Sequence, residues 1–189
     1  MNKTKKYDAS SIEVLEGLEP VRRRPGMYIG GTDNTSMHHL FSEVIDNAMD
    51  EAVANFASFI EVRVENDNII TVYDNGRGIP IDPHPSFPNK SALEVIMTTL
   101  HAGGKFSNKV YQTSGGLHGV GISVVNALSE FVDVEIYRNK KIYNQKFSKG
   151  HPISKLKELK KKTNKKGTKI SFKPDPEIFG LDNYFNCKK

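Results

Sequence analysis

The stretch "NTSMHHLFSEVIDNAMDEAVANF", Asn34 to Phe56, carries the clearest helical pattern in the chain. Its apolar residues share one side when successive residues are placed 100° apart, and we expect that side to face the core. A narrow strip of Glu43, Asn47 and Asp50 is expected to lie opposite it. The apolar side contains Leu40, Phe41, Val44, Ile45, Ala48, Met49, Ala52, Val53 and Phe56.

The polar strip has two interpretations. A polar helix face is most often a solvated face, and the strip alone gives no reason to go further. A carboxylate one turn from an amide oxygen is also what a hard cation and a polarised water need side by side. Both interpretations stay open at this point.

The segments on either side of the helix predict an α+β domain. Alternating residues indicate one hairpin around the turn at 66–68 and a second around Asn139-Lys140. "GTKISFKP", residues 167–174, adds a further strand. Shorter helices are expected at 11–20, where Pro20 should end or kink the helix, at 91–100, with Ser91 and Glu94 as a capping box, and at 121–128. This order predicts a layered α+β sandwich, with helices on one face of a mainly antiparallel, mixed sheet.

The composition fits one globular domain. The chain has 189 residues, 37% of them apolar and 26% charged, and a single cysteine, Cys187. No stretch approaches the ~20 apolar residues of a membrane span, and the first residues lack the apolar core of a secretory signal. We therefore expect a cytoplasmic protein with no internal disulfide and no membrane partner.

The charge is unevenly distributed along the chain. Residues 1–137 carry 11 Lys and Arg against 18 Asp and Glu, whereas residues 138–189 carry 16 against 4. The basic run "KLKELKKKTNKKG", Lys155 to Gly167, is either a solvated surface with a mobile loop or a surface that faces DNA or another polyanion. No aromatic residue interrupts the run, so base stacking has no support there.

Two glycine-containing motifs suggest a nucleotide site. "DNGRGIP", Asp74 to Pro80, follows a strand, and it is either a hairpin turn or an acidic side chain beside glycines that let a flat ligand approach. "TSGGLHGVG", residues 113–121, spaces its glycines as GxxGxG, which is neither the dinucleotide fingerprint nor the P-loop. It is either a flexible linker or a set of bare N–H groups at a helix start, which bind phosphate.

Taken in order, "EVIDNAMDEA", "DNGRGIP", "LHAGGKF…SGGLHGVG" and "GTKISF" resemble the motifs of the GHKL ATPase superfamily, which includes gyrase, heat-shock chaperones, histidine kinases and MutL repair proteins. The resemblance implies the Bergerat fold, a two-layer sandwich. Nearly the whole chain looks like the N-terminal ATPase domain of the B subunit of bacterial type II topoisomerases. "LEPVRRRPGMY" and "KFSNKVYQ" are more similar to topoisomerase IV than to gyrase. The ATPase domain of a gyrase B subunit, another GHKL nucleotide-binding module and a plain DNA-binding protein stay open as alternatives.

The resemblance implies an ATP site with Mg²⁺. Glu43 would be the general base that polarises the attacking water, and Asn47 the protein ligand of Mg²⁺. Asp74 would accept a hydrogen bond from the adenine amino group, with a bridging water also held by Thr168. Gly78 would belong to the adenine wall, and Arg77 and Pro80 would cover the base, with Glu51 bracing Arg77. Ile79 and Ile96 would form the apolar lining. Arg138 matches a position that coumarin-type inhibitors contact.

The resemblance also implies a lid and a dimer. A lid over residues 102–120 would close on the triphosphate, and an N-terminal arm, residues 1–16, would reach a partner subunit through Tyr7 and Ile12. ATP binding would then close a homodimer gate that captures DNA, in an enzyme completed by a separate A subunit. The lid contacts implied are Lys105, Tyr111, Gly116, Leu117, His118, Gly119, Val120 and Gly121.

Three features depart from the pattern. The γ-phosphate lysine of the family comes from a later transducer domain, so we expect residues 17–189 to be a truncated ATPase domain with weak or no turnover. Asn75 stands where a second acid often follows the adenine-binding aspartate, and Gln112 where gyrases often have lysine. ATP-competitive inhibitors are expected ligands.

Overall fold

The computed structural model describes residues 14–102 and 121–185. Along these two ranges three helices precede four strands, two helices precede five strands and a short helix follows, with a 3-10 turn at Asn66–Asn68 between the first two strands. The helices are α1 (Glu19–Arg23), α2 (Gly26–Ile29), α3 (Asn34–Val53), α4 (Ala92–Thr98), α5 (Gly121–Ala127) and α6 (Pro176–Phe179). The strands are β1 (Ile60–Val64), β2 (Ile70–Asp74), β3 (Pro83–His84), β4 (Phe87–Ser91), β5 (Ser129–Arg138), β6 (Lys141–Ser148), β7 (His151–Pro152), β8 (Lys157–Leu159) and β9 (Gly167–Pro174).

The main sheet joins two local hairpins through the last strand. Its order is β1-β2-β9-β5-β6-β7, and β8 also pairs with β6. Every pairing among the strands in the two described ranges is antiparallel, and β3 and β4 form a separate small hairpin. Because β9 lies between β2 and β5, it places residues that are about 100 positions apart in the sequence side by side.

The helices cover one face of this sheet, as the sequence predicts. α3 packs on β2 and β9, while α5 packs on β5, β6 and β9. Alternation along the strands gives each one an inward row, so that Val72, Ile170 and Val134 are at most 4% exposed. The opposite face is polar, with Lys169 paired to Glu135 across β9 and β5. One covered and one solvated face is the usual pattern for antiparallel sheets.

Helix α3 begins at the cap Asp33, whose side chain accepts a hydrogen bond from the Ser36 N–H at 2.8 Å. Its buried stripe is narrower than the apolar pattern predicts: Met49 and Val53 are 47% and 57% exposed. The prediction that the strip containing Glu43 lies opposite the core is wrong, since the strip borders the core. The apolar arc of α3 is wider than the surface it packs against, and only the part nearest the polar strip is buried: Met37, Leu40, Val44 and Ala48.

The chain before α3 differs from the prediction. Residues 14–18 are not helical, and Pro20 lies in the first turn of α1 instead of ending a helix. Proline is well tolerated there because the first N–H groups of a helix have no partner within the helix.

Both predicted hairpins are present, with Asn139 and Lys140 at φ 52° and 62° in the β5–β6 turn. Ser91 caps α4 by accepting from the Glu94 N–H. The short strands β3, β4, β7 and β8 were not predicted, and β8 lies inside the lysine-rich segment. Among the residues described, no helix has the length and apolar character that a bilayer span requires.

Candidate active site

The centre of the candidate site is a buried pair on β2 and β9. Asp74 and Thr168 occupy paired positions of the two strands, and the two residues are only 6% and 7% exposed. The strands approach closely beside the pair, because Gly167 has φ 106° and a Cβ built on it would lie 1.9 Å from the Asp74 carbonyl oxygen. The close approach therefore depends on glycine at this position.

Asp74 is a strongly perturbed carboxyl group. Its Oδ1 accepts a hydrogen bond from the Gly76 N–H at 2.8 Å. Burial raises the pKa of Asp74 from 3.8 to about 6 and the nearby charge of Glu51 adds to the rise, while the hydrogen bond from Gly76 opposes it. At neutral pH the group is an anion held in a poorly solvated site, which favours a ligand that donates a hydrogen bond to it.

Three elements hold the loop that follows Asp74. Arg77 donates to Glu51 of α3 from its backbone N–H and from its side chain, where Nη2 lies 2.6 Å from Oε1. The Ile79 N–H donates to the Thr168 hydroxyl at 3.2 Å, and Arg138 Nη1 donates to the Gly78 carbonyl at 3.1 Å. The loop therefore has a fixed shape between α3, β9 and β5, and it does not form a hairpin turn.

The ion pair of Arg77 with Glu51, implied by the resemblance, is present in the structure. The guanidinium also stacks on Phe56, with its central carbon 3.6 Å from the ring centroid. The helical pattern predicts Phe56 in the core, but it is 42% exposed and supports Arg77 instead. Pro80 is exposed at the end of the loop.

The polar strip of α3 faces the start of α5. A Cβ built on Gly121 would lie 1.8 Å from Glu43 Oε2, so the carboxylate fills the space that this glycine leaves. Asn47 Nδ2 donates to the Glu43 carbonyl at 2.8 Å, which ties the amide nitrogen to the helix, and a side-chain amide oxygen is a ligand that suits a hard cation. Glu43 and Asn47 are half-buried, and Asp50 is 6% exposed.

The remaining predicted residues divide into two groups. Ile79 and Ile96 are half-buried and pack against the core. The predicted contacts Tyr7, Lys105, Tyr111, Gly116, Leu117, His118, Gly119 and Val120 lie outside the described residues, as do Ile12 and Gln112.

Sequence reasoning missed the role of Asn75. Its side-chain oxygen accepts from the backbone N–H groups of Ser58 and Phe59 at 2.8 and 3.0 Å, and its amide donates to the Ser58 hydroxyl at 3.1 Å. Asn75 thus holds the connection between α3 and β1 against the end of β2. An aspartate could accept the same N–H groups, which gives a physical reason why either residue suits this position.

Comparison with known proteins agrees with this geometry. Residues 32–178 match the family described as "Histidine kinase-, DNA gyrase B-, and HSP90-like ATPase". The chain belongs to this family of ATPases. The fold, with helices on one face of an antiparallel sheet, is the fold of that family's gyrase B member in the structural match below.

The relatives narrow the resemblance. The chain is 63% identical over 183 residues to the B subunit of DNA topoisomerase 4 from Rickettsia felis, covering 97% of this chain and 28% of the relative. It is 62% identical to the protein of the same name from Caulobacter vibrioides, over 95% of this chain and 26% of the relative. The B subunit of DNA gyrase from Thermotoga maritima is 56% identical over 92% of this chain and 27% of the relative. The chain therefore spans about a quarter of the length of these relatives.

A solved structure shares both fold and sequence. The 43K ATPase domain of Thermus thermophilus gyrase B, crystallised in complex with an aminocoumarin, matches with a TM-score of 0.77 and 46% identity. The match covers 90% of this chain and 42% of that one.

Proposed function

We propose that this chain is the Mg²⁺-dependent, ATP-binding and ATP-hydrolysing unit of a type II DNA topoisomerase, of the kind represented by the B subunit of topoisomerase IV. The observation that carries the proposal is the buried pair of Asp74 and Thr168 on two strands that α3, the helix of Glu43 and Asn47, packs against. Family membership and relatives at 56% to 63% identity support it.

The adenine end of the site is built to accept hydrogen bonds. The Asp74 carboxylate would accept a hydrogen bond from the exocyclic amino group of adenine. Thr168 is the residue paired with Asp74 on the neighbouring strand, and its hydroxyl would bind a water that Asp74 also holds. Because the carboxylate is already poorly solvated, a ligand that donates a hydrogen bond to it displaces little water. Guanine presents an oxygen at the corresponding position, so this arrangement selects adenine.

The phosphate end fits a hard cation that keeps several waters. Mg²⁺ in nucleotide sites is bound by one or two protein oxygens together with phosphate oxygens, and a dedicated cage of acids is not required. The Asn47 side-chain oxygen supplies one such ligand, and among the described residues no cluster of three or more His, Cys, Asp or Glu competes with it. The ion would neutralise phosphate charge when bound.

Glu43 lies one helical turn from Asn47 and is held beside Gly121 at the start of α5. From there its carboxylate would orient a water for attack on the γ-phosphate and accept its proton. Phosphoryl transfer needs positioning and charge compensation more than covalent chemistry by the protein, so one oriented carboxylate is sufficient for this role.

The partners follow from the same proposal. An enzyme of this class acts on DNA; its B subunit dimerises on ATP binding and works with a separate A subunit. Tyr7 and the arm of residues 1–16 would contact the second copy of the chain, and residues 17–189 would form the ATPase domain. ATP-competitive inhibitors are proposed ligands, with Arg138 as a contact: it already holds the Gly78 carbonyl at the edge of the site.

Calorimetry with a non-hydrolysable ATP analogue and Mg²⁺ tests the binding site. Asp74→Asn should weaken binding by more than about tenfold, since a charge-assisted hydrogen bond contributes about 1.5–3 kcal/mol. Asp67→Asn is the matched control, because Asp67 lies in the β1–β2 turn at φ 60°, a conformation that asparagine tolerates. Equal affinities for the two variants, or no binding by the unaltered chain at millimolar nucleotide, would disprove the assignment.

Turnover tests the role of Glu43. In a chain extended to the length of its relatives, the Glu43→Gln variant should still bind the nucleotide. Its hydrolysis rate should fall by about 10²- to 10⁴-fold. Asp46→Asn on the same helix should keep the rate. Hydrolysis that persists in the Glu43 variant would exclude this carboxylate as the base.

A further inference from the structure

The segment between β7 and β9 carries an unusual concentration of positive charge. We call its seven lysines the lysine ridge: Lys155, Lys157, Lys160, Lys161, Lys162, Lys165 and Lys166. All seven are exposed. The segment contains one acid, Glu158, and that carboxylate pairs with Lys141 of β6 at 2.9 Å.

Five lysines elsewhere on the main sheet and its turns have acidic partners, and this contrast marks the ridge. In the described ranges, no ion pair involves a ridge lysine. The paired lysines are Lys141 with Glu158, Lys146 with Asp133, Lys149 with Asp175 and Glu177, Lys169 with Glu135 and Lys173 with Glu130. The ridge charge is therefore compensated by no ion pair within the described residues, apart from the longer-range attraction between Lys165 and Glu135, and a polyanion would neutralise it.

The ridge is held by the sheet, in contrast to the mobile loop considered from the sequence. β8 pairs with β6, so that Leu159 lies opposite Ile142 at the sheet edge. The Thr163 N–H donates to the Lys140 carbonyl at 3.2 Å, and the Tyr73 hydroxyl donates to the Lys166 carbonyl at 2.9 Å. These contacts fix the backbone of the ridge at its start, middle and end, so its lysines are presented on a defined surface.

The aromatic residues near the ridge already make contacts within the protein. Lys165 Nζ lies 5.3 Å from the ring centroid of Tyr73 and 6.0 Å from that of Tyr137. The two rings meet edge to face, and the Tyr137 hydroxyl donates to Glu135 at 2.7 Å. Their faces and hydroxyl groups are thus engaged within the protein, which leaves the ridge without a platform for stacking unpaired bases.

We propose that the lysine ridge binds the phosphate backbone of double-stranded DNA, independently of base sequence. Lysine ammonium groups act as point charges toward phosphate, and duplex DNA has a dense row of phosphates with condensed counterions that are released on binding. The anion site follows from the geometry above, while the choice of DNA over other polyanions rests on the proposed function. The end of the ridge is hydrogen-bonded to Tyr73, whose side chain lies on the sheet face opposite the buried Asp74 carboxylate.

The test is the salt dependence of binding to a labelled duplex of about 20 base pairs, followed by fluorescence anisotropy from about 50 to 200 mM salt. The test variant is Lys160→Gln/Lys161→Gln/Lys162→Gln. The control, Lys146→Gln/Lys149→Gln/Lys173→Gln, removes the same charge from lysines that already have acidic partners. Thermal melting of both variants checks that the fold is retained.

Removing three phosphate contacts should reduce the slope of log K against log salt by about 2.7, while the control changes it by less than about 1. Equal losses in the two variants would show a net-charge effect and overturn the proposal, as would no binding by the unaltered chain at about 50 mM salt. Single-stranded DNA or inorganic polyphosphate binding as tightly as the duplex would overturn the choice of duplex DNA.

Nucleotide affinity separates this proposal from the proposed function. The ridge variant should bind the ATP analogue as the unaltered chain does, because none of its three residues contacts the nucleotide site. Loss of ATP-analogue binding in Asp74→Asn together with unchanged DNA binding would support both assignments. DNA binding by a chain that fails to bind nucleotide would refute the proposed function and would still support the lysine ridge as a DNA-binding surface.

Discussion

Asp74→Asn should stabilise the nucleotide-free protein while it weakens nucleotide binding. The folded protein holds the Asp74 carboxylate in a poorly solvated position, and its pKa is about 6 instead of 3.8. An acid with a raised pKa binds its proton more tightly in the folded state, so its contribution to stability falls as the pH rises from about 4 to about 6. Asparagine carries no charge and can still accept the Gly76 N–H.

The magnitude follows from the two pKa values. The two pKa values differ by about two units, and each unit corresponds to about 1.36 kcal/mol. The charged group therefore costs the folded protein about 3 kcal/mol at pH 7.5. At pH 4.5 the folded protein keeps the proton, and the same calculation leaves a cost of about 1 kcal/mol. The gain on replacing Asp74 should therefore shrink by about two thirds between these pH values.

Urea unfolding of the nucleotide-free chain at both pH values measures the gain. A change of about 3 kcal/mol corresponds to a rise in Tm of about 6–12 °C for a protein of this size, so thermal melting gives a second readout. A variant no more stable than the original at pH 7.5 would contradict the reasoning. So would an equal gain at both pH values, because a gain independent of pH does not come from the charge of Asp74.

Further variants test the surroundings of the site. Glu51→Gln should weaken ATP-analogue binding several-fold, since it disturbs three hydrogen bonds that hold the neighbouring arginine; Glu61→Gln, at an exposed ion pair on β1, should leave calorimetric affinity unchanged. Asn75→Ala should lower the free energy of unfolding by about 2 kcal/mol and Asn75→Asp by less than about 1, because only alanine loses the acceptor; equal losses would rule out the acceptor role. Gly167→Ala should cost more than about 3 kcal/mol, because its Cβ meets a backbone carbonyl, whereas Gly180→Ala, with φ 80° and open space, should cost about 1. Urea unfolding of the two glycine variants measures these losses of stability, and a similar loss for both would contradict the clash at Gly167.

The parts of the fold that were predictable from the sequence are those set by local signals. Helix α3, the β1–β2 hairpin and the β5–β6 hairpin follow from spacing and turn residues within about 25 positions. The place of β9 between the hairpins was not predictable in this way, since it depends on pairing between distant segments. The buried side of α3 was misassigned because a wide apolar arc does not show which part meets the sheet.

The candidate site likewise contains residues that local patterns predict and contacts that they do not. Glu43 and Asn47 share a strip because helical spacing is regular, and the motif order pointed to Asp74 and Thr168 through family resemblance. Contacts between loops had no local signal: Asn75 reaches Ser58, which is 17 positions away in another connection. Such contacts depend on how the elements pack, and the sequence pattern does not contain that information.

The central position of β9 has a consequence for biosynthesis. The β1–β2 and β5–β6 hairpins can each form soon after their residues leave the ribosome, but the strand that joins them is completed only at Pro174. Because contacts between distant segments form late, we expect the sheet and the Asp74–Thr168 pair to form together in a late folding step. A nascent chain that ends before β9 lacks half of the proposed adenine site, so on this proposal nucleotide can stabilise the finished domain but cannot guide its assembly.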